Sequence, residues 1–159
     1  MLKIEILAIG KLSQEYLRVG EREYLKRINP YYDVNVIELS EHKLQKSNPS
    51  DIQKVIQSEG QSIIKLLEKR KYPSYALAIE GIELSSTGFA KMIDDTALNQ
   101  SGCVFIIGGS YGLSEEVKES ANAMISLSRM TFPHQLSRIV LLEQIYRAAT
   151  INQGITYHK

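Results

Sequence analysis

The stretch RMTFPHQLSR, residues 129–138, holds the residue types best suited to chemistry in this chain. His134 is one of only three histidines and directly follows Pro133, one of four prolines. The residues after it, IVLLEQIYRAAT, have helical character, so the spacing predicts a helix from about Pro133 to Thr150. Proline at a first helical position lacks only an N–H that would have been unpaired anyway, and Thr131 falls near the cap. Pro133 therefore needs no functional reading. His134 does need one, because the positive end of the helix dipole opposes an imidazolium there. The position favours neutral imidazole, which can accept a proton or orient a polar group. A histidine with a purely structural role is the competing reading. Arg138, one turn further on, shares its face.

A second candidate is the loop IIGGSYGLS, with Gly108, Gly109 and Gly112. Paired glycines after a buried strand let a ligand approach bare backbone, and a tight strand-to-helix turn is the plainer alternative. Neither the P-loop pattern nor the dinucleotide fingerprint is present. Cys103 lies in the apolar run CVFII with nothing basic beside it, which reads as a structural thiol. A lone cysteine excludes an internal disulfide and a cysteine-built zinc cage. His42 sits in a polar stretch and reads as solvated. The histidines share no ligand-type spacing, so no metal is expected.

The elements that must hold these residues alternate. Lys3–Ile9, Asp33–Leu39, Tyr75–Ile79, Cys103–Ile107 and Ala123–Leu127 read as strands. Between them, helices are predicted from a Ser13 cap to about Ile28 (ended by Asn29-Pro30), and from a Ser50-x-x-Gln53 capping box to about Arg70. Further helices run over about Thr87–Leu98 and from a Ser114 cap to about Ala121. Gly81 reads as a turn after the third strand, and SEHKLQKSNPS as a mobile polar loop. The nonamer INQGITYHK is left as a tail. Such alternation predicts an α/β fold, an open and mostly parallel sheet with helices on both faces. Ligands bind such sheets beyond the carboxyl ends of the strands. That selects the loops after Ile79, after Ile107 and after Leu127. The last helix has apolar residues on more than one face (Leu136, Ile139, Val140, Leu141, Leu142, Ile145 and Tyr146), which predicts that it also forms a subunit interface.

Composition bounds the rest. With 159 residues the chain suits a single domain, 1–159. No apolar run reaches the roughly 18 residues of a membrane span, and the N-terminus does not read as a signal peptide, so a cytoplasmic location is expected. A formal net charge of +1 is too small for a protein that grips nucleic acid through bulk charge.

The combination FIIGGSYGLS, then SLSRMTFPHQLSRIVLLEQIYRA, then a terminal TYHK closely resembles the RlmH family. These SPOUT-class methyltransferases modify a pseudouridine of large-subunit ribosomal RNA. The resemblance runs from ILAIGKL to the final YHK. It implies a C-terminal trefoil knot, a homodimer, and S-adenosyl-L-methionine bound in the knot. The implied reaction is methylation of pseudouridine N3 in an RNA stem-loop of the assembled ribosome. Carried over by position, cofactor contacts fall at Leu77, Gly108, Leu127, Ser128, Arg129, Met130, Thr131 and Phe132. The resemblance makes catalytic candidates of His134 or His158, to handle the N3 proton or orient the base. It also nominates Arg138, for RNA phosphate or a uracil carbonyl, and Tyr157, to stack on a flipped base. Two other functions remain open: a non-catalytic ribosome-associated module, and a transfer-RNA methyltransferase of the same fold.

Overall fold

A computed structural model of the protein describes residues 1–44 and 46–159. Five strands form one parallel sheet: β1 (Lys3–Ile9), β2 (Asp33–Leu39), β3 (Ser74–Glu83), β4 (Gly102–Ile107) and β5 (Ala123–Ser126), in the order β2-β1-β4-β3-β5. The helices are α1 (Glu15–Ile28), α2 (Pro49–Leu67), α3 (Ser86–Asn99), α4 (Glu115–Ser120) and α5 (His134–Asn152).

Alternation along the central strands builds two cores. Ile4, Ile6 and Ala8 of β1 and Cys103, Phe105 and Ile107 of β4 join Ile28, Phe89, Ile93, Leu141 and Leu142 on the α1, α3 and α5 side. Leu7, Ile9, Val104 and Ile106 face the other way, onto Ile63, Leu113 and Val117. Each fully buried side chain of this size contributes about 1.5–3 kcal/mol relative to exposure. The two faces hence explain why CVFII is apolar throughout.

Several local expectations are corrected. Ser13 does not cap α1; Gln14 holds that position, and Ser13 instead donates through its N–H and Oγ to Gln135 Oε1 at 2.8 and 3.1 Å. α2 is capped by Asn48, whose side chain accepts from the Asp51 N–H, with Pro49 next; Ser50 is already helical, and the helix ends at Leu67 rather than Arg70. Gly81 is not a turn. β3 continues through it to Glu83, with a register shift against β5 between Leu77 and Ile82. A Cβ at Gly81 would sit 2.7 Å from Ile125 N, so the glycine is there for β5's close approach. α5 begins at His134 and Pro133 is its cap residue, with no side-chain cap from Thr131. The helix extends to Asn152, into the predicted tail. Position 45 of the expected mobile loop lies outside the described residues; positions 40–44 and 46–48 carry neither helix nor strand.

Surplus apolarity on α5 is largely satisfied within the chain. Leu141, Leu142, Ile145, Ala148 and Ala149 are buried on the face shared with α1 and α3. Leu136 stays exposed, as do Tyr16 and Val19 on α1.

Candidate active site

Two of the loops selected from the sequence, after β4 and after β5, close round one cleft of ≈ 170 Å³ with a segment of β3; the loop expected after Ile79 is absent, because β3 runs on to Glu83. One wall is Leu77–Ile79, where β3 begins its register shift. A second is the glycine loop after β4, with Gly108, Gly109 and Gly112. The third is the segment after β5, and His134 and Ser137 of α5 complete the rim. Of the residues proposed for the cofactor, Leu77, Gly108, Leu127, Ser128, Met130, Thr131 and Phe132 line this cleft. Arg129 is exposed and does not. The cleft is mostly apolar walls with a few hydroxyls, which suits a nucleoside carrying an aliphatic thioether arm.

The glycines have a structural reason of their own. A Cβ at Gly108 would lie 2.8 Å from the Gly112 carbonyl carbon, and Gly112 has φ +85°. The Gly112 N–H donates to Gly109 O at 3.1 Å and closes the turn. The tight-turn reading thus accounts for Gly108 and Gly112, and the same turn leaves the backbone bare toward the cleft. The third wall is braced by its own residues. Ser126 Oγ donates to Ser128 O at 2.9 Å, and the Met130 N–H donates to Ser128 Oγ at 2.9 Å. These two bonds fix the turn within the segment itself.

His134 is half-buried at the rim, and its Nε2 is buried with no hydrogen-bond partner. The nearest carboxylate is Glu41, with Oε1 3.8 Å away. Burial, helped by the nearby Arg138 charge, pushes the imidazole below its ordinary value, while Glu41 pulls it back up. The neutral form expected from the helix start is favoured, with burial as the main cause.

Arg138 does not face an incoming ligand. It is 2% exposed. Its Nη1 donates to Glu21 Oε2 at 3.1 Å and Glu38 Oε2 at 2.8 Å, and its Nη2 to Gly10 O at 3.0 Å. One guanidinium thus fastens α5 to α1, to the end of β2 and to the turn after β1. As placed, both Nη atoms are engaged within the chain and Nε is buried without a partner, so the placement gives no support to a contact with a phosphate or a uracil carbonyl.

Tyr157 and His158 lie elsewhere in the single chain. Tyr157 Oη donates to Glu143 Oε1 at 2.9 Å, and its ring meets Tyr146 edge-on at 4.9 Å. Arg147 lies over that ring, 4.7 Å from its centroid, and its Nη1 is 3.1 Å from His158 Nδ1. The terminal residues are docked on the second half of α5. Thirteen residues separate His134 from Arg147, about 20 Å along a helix axis. The structure does not bring these two residues together with His134 within one chain.

Two acidic residues near the cleft escaped the sequence reading. Glu41 comes from the polar stretch after β2 and accepts from Ser110 Oγ at 3.2 Å. Glu59 is 3% exposed in α2, where Oε2 accepts from the His42 N–H at 3.2 Å and Oε1 has no partner. Burial raises the Glu59 carboxyl above its usual range. A signal was present: Val55, Glu59 and Ile63 are four apart, so the carboxylate interrupts an apolar stripe.

Among the described residues no helix is long and apolar enough to cross a membrane, and no group of acidic, histidine or cysteine side chains suits a metal. A profile described as "Predicted SPOUT methyltransferase" matches residues 2–158. Proteins named "Ribosomal RNA large subunit methyltransferase H" from Streptococcus pneumoniae strains CGSP14 and 70585 are each 46% identical over 160 residues, which covers 99% of this chain and 100% of theirs. With its parallel sheet, its cleft at the strand ends and a match along nearly the whole chain, the protein belongs to the SPOUT family of methyltransferases.

Proposed function

We propose that this protein methylates N3 of a pseudouridine in large-subunit ribosomal RNA, on the assembled ribosome, with S-adenosyl-L-methionine as donor. The observation that carries the reading is the convergence of the loops after β4 and β5 and of Leu77–Ile79 of β3 on one cleft, with a half-buried histidine at its rim. The name and 46% identity of the full-length relatives supply the substrate class. The donor's sulfonium leaves as a thioether when its methyl goes to nitrogen, so no metal is needed.

The chain's own residues bind, align and deprotonate. Leu77, Leu127 and Phe132 provide apolar walls for the nucleoside, and Gly108 allows close approach of its backbone. Ser128, Met130 and Thr131 hold the polar edge, and Arg129 acts through its main chain beside them. Alignment of donor and acceptor is worth several kcal/mol. His134, held neutral, takes the N3 proton or orients the base, typically worth 10²- to 10⁴-fold. Arg138 positions the start of α5 and touches no substrate. Tyr157 and His158 act only if a second protomer brings its tail to this cleft, which makes the enzyme a homodimer. Exposed Tyr16, Val19, Leu136 and Met130 support such a contact. The SPOUT family match along residues 2–158 supports a trefoil knot within one domain, 1–159.

The test is labelled methyl transfer to whole ribosomes, separated subunits and transfer RNA, with the modified nucleoside identified by mass spectrometry. Label confined to pseudouridine of whole ribosomes supports the reading. Donor binding without turnover would favour the non-catalytic module, and label in transfer RNA the other enzyme. His134→Ala and a chain lacking the last three residues are both expected to lose at least tenfold in rate with donor binding intact.

A further inference from the structure

Among the described residues, the segment after β2 delivers the carboxylate that faces His134. Glu41 Oε1 lies 3.8 Å from His134 Nε2 and also accepts from Ser110 Oγ at 3.2 Å. One side chain thereby touches the start of α5 and the glycine loop together. His134 Nε2 is buried without a partner, so no solvent competes for it.

The place of Glu41 is built into the backbone around it. Gly10 has φ +86°, and a Cβ there would stand 2.8 Å from Glu41 Oε2. Any other residue at position 10 would be strained and would also occupy the carboxylate's space. On one side of Glu41, Leu39 O accepts from the Gly10 N–H at 2.7 Å. On the other, the His42 N–H is held by buried Glu59 at 3.2 Å. The charges acting on His134 come from two directions. Arg138, one turn along α5, opposes an imidazolium, and its own charge is shared by Glu21 and Glu38. Glu41 favours it. The glycine loop presents uncharged Ser110, and Leu77–Ile79 of β3 are apolar.

We propose that Glu41 is a positioning residue for His134, holding the imidazole as its Nε2–H tautomer and compensating the charge it acquires during methyl transfer. This rests on the reading of His134 as the group that takes the N3 proton. In that step the nitrogen lone pair bonds to the methyl carbon, and the carbon–sulfur pair departs with sulfur. The N3 proton passes to His134 Nδ1, and Nε2–H closes onto Glu41. The arrangement follows from which nitrogen faces the carboxylate, since an imidazole fixed at one nitrogen presents its lone pair at the other.

Glu41→Gln keeps the shape and removes the charge. Nuclear magnetic resonance of the His134 ring in the full-length protein is expected to show its titration falling by about one pH unit, the low end for a counter-charge removed at this distance. In methyl transfer to ribosomes the acid limb should move down by a similar amount. Plateau kcat should fall roughly tenfold with an unchanged KM for the donor, because a weaker base transfers the proton more slowly. Glu41→Asp should restore part of both effects. An unmoved His134 titration, or a rate lowered equally at every pH, overturns the proposal. His134→Ala separates the two levels: if it is inactive while Glu41→Gln keeps the parent pH profile, only the role of Glu41 fails. If His134→Ala is fully active, the reading of His134 fails, and this proposal with it.

Discussion

Arg138→Ala tests whether the arginine on the active-site helix is structural. The substitution removes two charge-assisted hydrogen bonds and one to a carbonyl from a side chain that is 2% exposed. Removing one partner of a buried ion pair typically costs about 3–5 kcal/mol. Here the abandoned carboxylates keep water access, with side-chain exposures of 21% for Glu21 and 35% for Glu38. They can be resolvated, which brings the expectation down to about 2–4 kcal/mol. For a domain of this length that corresponds to a fall in Tm of roughly 5–15 °C. Urea unfolding followed by circular dichroism measures the loss directly. A second variant, Arg138→Met with Glu21→Gln and Glu38→Gln, should recover most of it, because no charge is then stranded. A loss below about 1 kcal/mol in Arg138→Ala, with methyl transfer nonetheless abolished, would refute the argument and return Arg138 to the RNA.

Two further outcomes follow from the packing. Gly108→Ala should weaken donor binding by at least tenfold in calorimetry, since its Cβ would meet the Gly112 backbone at 2.8 Å and the glycine loop must open to admit it. Cys103 is fully buried in β4, and burial pushes its thiol up to about 12. Iodoacetamide at pH 8 should therefore label it only at the rate of unfolding, and fast labelling of folded protein would contradict the buried placement.

The strands and the two cleft loops after β4 and β5 were legible because apolar runs and strand carboxyl ends are local facts; the third wall lies inside β3, which continues past Ile79 to Glu83. Cys103–Ile107 announces a two-sided burial in five letters, and the loop that follows it must lie at the sheet's ligand-binding edge. What escaped depends on neighbours distant in sequence. Gly81 looks like a turn until β5 is laid against it. Ser13 and Ser50 are adequate caps whose positions were taken by Gln14 and by the Asn48-Pro49 pair. Helical spacing placed Arg138 beside His134 correctly, but cannot say that its guanidinium points toward Gly10, 128 residues earlier. Only likeness to the family groups Tyr157 with the site, and the single chain seats it on Glu143.

The bonds that join the start of α5 to the turn after β1 also govern when the site can come into being. Arg138 reaches Gly10 and Gln135 reaches Ser13, across 128 and 122 residues. Contacts that span most of a chain slow folding, because the loop must close before they contribute. The carbonyl of Gly10 waits for 128 further residues before its arginine arrives. Until α5 has left the ribosome and docked, His134 has no cleft to border. The cleft is therefore among the last parts of the fold to be completed, and it forms only when α5 docks.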